Sequence, residues 1–597
     1  MKKHVMLLFT TFGIALVQDR AWSDGWEEGD EHMPPAPFQR VDAAIGGVKP
    51  ASATPAYLTS SRIAIVGDRT LVSDADSGML VLADARGAAV AKLAIGSDAG
   101  LLAYDPIAKR AYVADRRGDR IVVVTVGDTL AVSATWTTPA EPFGVALAPD
   151  RKTVLVTTIA DRTLVAFDAA TGHESWRAAL DAESRGIAVA PDGKRALITS
   201  LTSGGLREVA LVGEHVATRT ALPKSDLERP TKGAFAVSFL GSSLAVTAFT
   251  SDTPTTRFPD SDHYGGSSEP PIAPQLAWFG SGGQQSLAIT NVIEPRALAW
   301  DSAHDILYAV GMASPHVVAI DHASQVDVSL KSEAGLGLEC GADGVAVDEH
   351  GGIRVWCAFS RSIIRFDLSK KSELVAFQKG PELVASTMDE THHAGFVLFH
   401  TGNPNTSGFG EMSCGSCHLD GRADGVSWFI KGRELQTPVL AGRVSGSGPF
   451  KWDGTAKDLK RSLRDTIGRL GGDGLSKKEL GQLAAFVESI PAVRAPTRDR
   501  VAVARGKQLF ESTEVGCTDC HDGPALTDGA RHRFAGAKFD TPGLGALSAS
   551  APYFHDGSAP TLEAVLRERG SVHGMADAAS HLSDADVADL VAFLETL

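Results

Sequence analysis

The chain has 597 residues, 43% hydrophobic and 22% charged, an ordinary balance for a globular protein long enough for about three domains. Its formal net charge of -15 argues against nucleic acid or anionic membrane as a partner, because both recruit basic surfaces. Six cysteines are too few for a disulfide-built scaffold of this length.

Met1-Lys2-Lys3-His4 precedes thirteen mostly apolar residues, Val5 to Val17, and Ala21-Trp22-Ser23 then offers small residues for cleavage. That order predicts a signal peptide over residues 1–23. The apolar run is shorter than the about 20 residues a spanning helix needs, so the mature chain is expected to lack a transmembrane span. It is expected in the periplasm or at the cell surface.

From Ser60 to Asp367 a unit recurs: a small or apolar quartet, a polar turn, then a second apolar strand. The quartets are RIAI at Arg62, LLAY at Leu101, GVAL at Gly144, GIAV at Gly186, AFAV at Ala234, ALAW at Ala297 and GVAV at Gly344. Seven copies at spacings of 39 to 63 residues predict a seven-bladed all-β propeller over residues 40–385. The longest interval holds a Pro-, Gly- and Ser-rich stretch from Ser251 to Gln275, expected to leave one blade as a loop. Cys340 and Cys357 bracket the first two strands of the last blade and are expected to pair, as a structural staple rather than a redox site.

Beyond Lys379 the pattern becomes helical, and a second repeat of roughly 100 residues appears. Its copies align AGFVLF with RGKQLF, CGSCH with CTDCH, TPVL with TPGL, and PFKWDGTAKDL with PYFHDGSAPTL. Cys414 to Cys517 and Asp453 to Asp556 are both offsets of 103 residues. Each copy closes on a Ser-capped amphipathic helix, carrying Leu480, Leu483, Phe486 and Val487 in one and Val587, Leu590, Phe593 and Leu594 in the other. The fold class is therefore multidomain: the propeller, then two tandem all-α cytochrome c domains over residues 386–494 and 498–597.

Two thiols three positions apart on a helical turn add across the two vinyl groups of one haem, and the following imidazole ligates the iron. Cys414, Cys417 and His418 are thus expected to hold one haem c, and Cys517, Cys520 and His521 a second. A zinc site would need a further pair of ligands near each string, and there is none. For the sixth position of the second iron, Met575 and His573 lie in a Gly-flanked loop, with His555, His532 and His581 as competitors. For the first iron the matching stretch, Ile467 to Gly472, offers no ligand; His392, His393 and His400 lie upstream, expected at the start of the domain's first helix, and an open iron is compatible with this stretch.

With these strings in view, the region from Gly395 to Leu597 resembles the bacterial di-haem cytochrome c peroxidases, including the MauG-type members. PYFHDGSAPTLEAV looks like that family's electron-transferring haem domain and FKWDGTAKDL like its peroxide-side domain. The resemblance implies peroxide chemistry at the first haem beside a Gln and a Glu, a Met or Tyr on the second iron, and a calcium ion between the halves. Here the Gln position falls on or near Phe450, the Glu position on Lys460 or Arg461, and the usual Met position on Arg567 to Arg569. Moving a proton between peroxide oxygens is worth about 100- to 10,000-fold in rate, and a cation does it poorly. The propeller resembles the YVTN-type or amine-dehydrogenase-like group.

The leading expectation is an electron-transfer protein: electrons enter at the more exposed haem and pass to a redox partner protein docked by the propeller. The enzyme alternative is a peroxide-using oxidoreductase with Trp452 and Asp453 lining the first haem pocket. A third is a binding module with redox-sensing haems. Trp428 and Trp452 are placed either between the haems or in the core.

Overall fold

The computed structural model describes residues 54–222, 231–252, 271–280, 283–289, 291–325, 328–369, 373–408, 412–534, 536–567 and 581–597, with the strand Phe38–Gln39. The expected signal peptide, the candidates His573 and Met575, and residues 253–270 of the Pro- and Gly-rich stretch lie outside the described residues.

Seven antiparallel sheets follow one another, over residues 63–94, 99–137, 142–179, 184–221, 231–288, 295–335 and 342–379. The first strand of each packs against the first strand of the next, and Ile63–Val66 meets Ala342–Val347 to close the ring. This is the seven-bladed propeller the quartets predict. Inner strands are sandwiched between neighbouring blades, so Ala99–Asp105 and Pro142–Leu147 are buried at every position. Outer strands have one wet face, and Ala89–Ala94 alternates accordingly.

The recurrent Pro-Asp turns are held by the aspartate itself. Asp150 Oδ1 accepts from Lys152 N at 2.9 Å and Asp192 Oδ1 from Lys194 N at 3.0 Å. Cys340 and Cys357 form the expected disulfide between the start of one strand and the end of its neighbour.

The fifth blade departs from the sequence expectation. Strands Ala245–Asp252 and Ile272–Gly280 extend into both ends of the stretch read as a loop, pairing Asp252 with Ile272 and Thr250 with Pro274. The reason is packing: Ile272 is buried against Met412, Val426 and Trp428 of the helical region, which carries the hairpin onward.

In the helical region, Glu390–His400 packs against Lys477–Ser489, and Arg500–Phe510 packs in the same way against Asp584–Leu594. Ser476 and Ser583 are N-caps with complete capping boxes, and all eight predicted apolar residues of the closing helices are buried. Isolated bridges join Phe450 to Ala456 and Tyr553 to Ala559, again 103 residues apart. No helix among the described residues is long and apolar enough to cross a membrane.

Both helix crossings turn on a glycine. A Cβ on Gly395 would lie 2.1 Å from Gln482 O, and one on Gly506 would lie 2.0 Å from Asp589 O. Gly506→Ala is expected to destabilise the C-terminal pair by about 1–3 kcal/mol, as overpacking does. A thermal melt that leaves the variant's midpoint unchanged would contradict this close contact.

Candidate haem-attachment sites

In the second string, Cys517–Asp519 forms a single tight turn and His521 follows, buried, with Nδ1 donating to Leu526 O at 3.0 Å. That bond fixes the ring orientation and tautomer, as a ligating imidazole requires. Cys517 packs among Phe510, Val515, Tyr553 and Leu590, and burial pushes its thiol up to about 11. The adjoining Asp519, Asp522, Gly523 and Pro524 are exposed. Among the competing ligands, His532 is exposed and paired with Asp528 at 2.6 Å, His555 stacks on Phe539 at 4.0 Å, and His581 is exposed.

In the first string, Cys414–Cys417 is one helical turn capped by Ser413. Cys414 packs in the core of the first helical half, whereas Cys417 packs against Ile272, Met412 and Trp428. Burial holds the His418 imidazole down at about 4 and thus neutral, and its Nδ1 has no hydrogen-bond partner among the described residues. Burial, then the charge of Glu294, pushes the Cys414 thiol up to about 12. The four cysteines are outside any disulfide. In both strings the thiols share one turn with an enclosed imidazole beside them, so the residues fit a covalently held haem.

What distinguishes the first string is the propeller. Its next residues, Leu419 to Arg422, enter the propeller's axial mouth. Leu419 packs on Leu101, Phe143, Leu201 and Phe235. Asp420, at φ 52, reaches Arg296 at 3.1 Å and Arg185 at 3.8 Å. Arg422 reaches Glu141 at 2.6 Å and Glu183 at 2.7 Å. Burial alone would raise both carboxylates; instead Arg296 and Arg185 hold Asp420 well below the usual range, and Arg422 and Arg116 hold Glu141 at about 2. Ser413 Oγ donates to Glu294, which also pairs with His400 Nδ1 at 2.9 Å. A small cavity beside this contact is lined by Ser416, Cys417 and Asp424 on one side and by Lys232, Thr250 and Glu294 on the other.

The upstream histidines are thus accounted for by other contacts. His400 is the last residue of its helix and buried, not at the helix start as expected from sequence. His393 Nε2 lies 3.0 Å from Phe359 O, and His392 is exposed and bonded to Asp389. Trp428 is buried, donating to Thr437 and Asp424. Asp453 holds its own turn by accepting from Thr455. Trp452 lies at the seam between the halves: its Nε1 donates to Gln436 O at 2.8 Å, while its carbonyl accepts from Asp540 N at 2.9 Å. Gln436 N donates to His555 O at 2.6 Å across the same seam.

Sequence reasoning missed Glu141, Glu183, Glu294, Asp420 and Arg422. A signal existed: each glutamate stands three residues before a quartet, in Glu141-Pro-Phe-Gly, Glu183-Ser-Arg-Gly and Glu294-Pro-Arg-Ala.

Residues 503–597 match the Cytochrome c family. The chain is 24% identical to hydrazine synthase subunit gamma of Kuenenia stuttgartiensis, over 32% of this chain and 72% of that protein. It is 25% identical to cytochrome c551 peroxidase of Nitrosomonas europaea, over 34% and 78%, and 25% identical to methylamine utilization protein MauG of Methylophilus methylotrophus, over 32% and 77%. The C-terminal segment is a cytochrome c domain, and the residues of its C-x-x-C-H string fit haem c.

Two outcomes follow from the geometry. Arg422→Ala leaves Glu141 and Glu183 buried without their shared cation, at a cost of about 3–5 kcal/mol, read by denaturant unfolding; a loss under about 1 kcal/mol, the worth of an exposed pair, would contradict the clamp. Burial, then Asp528, raises the Asp540 carboxyl to about 7. A raised acid destabilises the fold increasingly as pH climbs from its unfolded value near 4 through 7. Asp540→Asn should therefore stabilise the protein at pH 8 and not at pH 4, and an equal effect at both would refute the assignment.

Proposed function

We propose that this chain is an exported two-haem c-type cytochrome that transfers electrons, with the propeller holding the first haem site and a redox partner protein meeting the second. The observation that carries this reading is the unequal setting of the segments that follow two otherwise matched strings: Leu419 to Arg422 pack into the propeller mouth, whereas Asp522, Gly523 and Pro524 are exposed. Haem, when bound, supplies a reversible one-electron change at iron.

The protein's own groups set the path. Exposed Asp519, Asp522, Gly523 and Pro524 leave the second string approachable by a partner. Trp452, Gln436 and His555 tie the two halves into one piece, so the separation between the strings is fixed. His521 is oriented by its bond to Leu526 O, and burial keeps His418 neutral, so each imidazole suits iron. Residues 1–23 would direct export to the periplasm or cell surface, where the Cys340–Cys357 disulfide is at home. Among the described residues the one close set of three His, Cys, Asp or Glu side chains is Cys520, Asp528 and His532, a mixed rather than an all-oxygen group.

Similarity to a peroxidase and to MauG favours a second reading, peroxide-driven oxidation at the first site. Against it, Lys460 and Arg461 are exposed on their helix, and Arg461 pairs with Asp465. Two enclosed groups near that string are shifted toward neutrality: burial, then Arg469, holds Lys451 at about 7, and burial raises Asp424 to about 6.

Stopped-flow and EPR spectra of the holoprotein with hydrogen peroxide separate the two. Electron transfer predicts low-spin haems that peroxide leaves unchanged, and a high-spin signal consumed within the mixing time would overturn that reading. A Cys517→Ala, Cys520→Ala variant is expected to lose one haem and at least tenfold of its reduction rate by a small redox protein; an unchanged rate would place the electron inlet at the first string.

A further inference from the structure

Resting on the two-haem reading, we infer that Glu294, a propeller residue, is a positioning residue of the first haem: its buried carboxylate fixes the 413–418 loop and biases the iron held there toward the oxidised state.

Glu294 stands just before the first strand of the sixth blade, in the left-handed region at φ 51, with its side chain fully removed from solvent. One carboxylate oxygen accepts from Ser413 Oγ, the residue that caps the Cys414–Cys417 turn; the other pairs with His400 Nδ1 at 2.9 Å and lies 3.5 Å from Arg296. The loop thereby hangs from the propeller at its cap, in addition to the ion pairs made by Asp420 and Arg422.

The approach is close enough to dictate sequence. A Cβ at Gly415 would lie 2.2 Å from Glu294 Oε1 and 2.7 Å from His400 Nδ1. A side chain at 415 would push the carboxylate or the imidazole aside, so glycine suits the contact, and the first string reads C-G-S-C-H where the second reads C-T-D-C-H. The second string has nothing equivalent: Thr518 stands where Gly415 does, and Glu511, next in sequence to Phe510 as His400 is to Phe399, is exposed.

A fixed negative charge in an enclosed, weakly screened position favours the more positive of two redox states of a neighbouring iron. The carboxylate is near enough to Cys414 to raise its thiol pKa, behind burial. The propeller thus lowers the potential of one of two otherwise similar haems, and the inequality gives electrons a preferred resting place.

The test is a potentiometric titration of full-length holoprotein, wild type against Glu294→Gln and Glu294→Asp, with haem counted by the pyridine haemochrome. The expected result is two haems per wild-type chain, one potential raised in Glu294→Gln with the other unmoved, and a return toward wild type in Glu294→Asp. A Glu294→Gln protein one haem short, with Glu294→Asp retaining both, also supports the role. Two haems with both potentials unmoved, or both moved equally, overturns the proposal alone. A single haem in the wild type instead overturns the two-haem reading beneath it.

Discussion

One buried ionic chain organises this protein. It runs from Arg116 through Glu141, Arg422, Glu183, Arg185, Asp420 and Arg296 to Glu294, alternating in sign, and ends at the His400 imidazole, with separations of 2.6 to 3.8 Å. Two of its members, Asp420 and Arg422, belong to the segment that follows the first C-x-x-C-H string; its other arginines and glutamates belong to four blades or the turns that enter them. Buried charges carry a desolvation penalty of several kcal/mol each, so such a chain is tolerable only in the one register where every member meets its opposite. It therefore contributes specificity of docking more than net stability.

That constraint explains the asymmetry of two repeats that share a fold. Both halves cross their terminal helices over a glycine, cap the closing helix with serine and build the same small bridged turn. They differ at the attachment strings: Gly415, Ser416, Asp420 and Arg422 are small or charged to suit the mouth, while Asp519, Asp522 and Pro524 are exposed.

The propeller was legible because inner strands need small apolar residues on both faces, which leaves the same quartet in every blade. The two attachment strings and the capped closing helices were legible because each is set by spacing over a few residues. The ionic chain was not, because its bonds join residues as far apart as Glu141 and Arg422, 281 positions in sequence. His400 was misplaced for the same reason: nothing near it in sequence signals a carboxylate on the propeller. The extent of the fifth-blade hairpin escaped because Pro274 reads as a breaker until Ile272 finds Trp428.

The central claim is that both strings carry haem on one rigid frame, and peptide mapping of the exported protein by mass spectrometry tests it most directly. The account predicts a haem-modified peptide containing Cys414 and Cys417 and another containing Cys517 and Cys520, in equal amounts. Haem confined to the second peptide, with free thiols at Cys414 and Cys417, would contradict it.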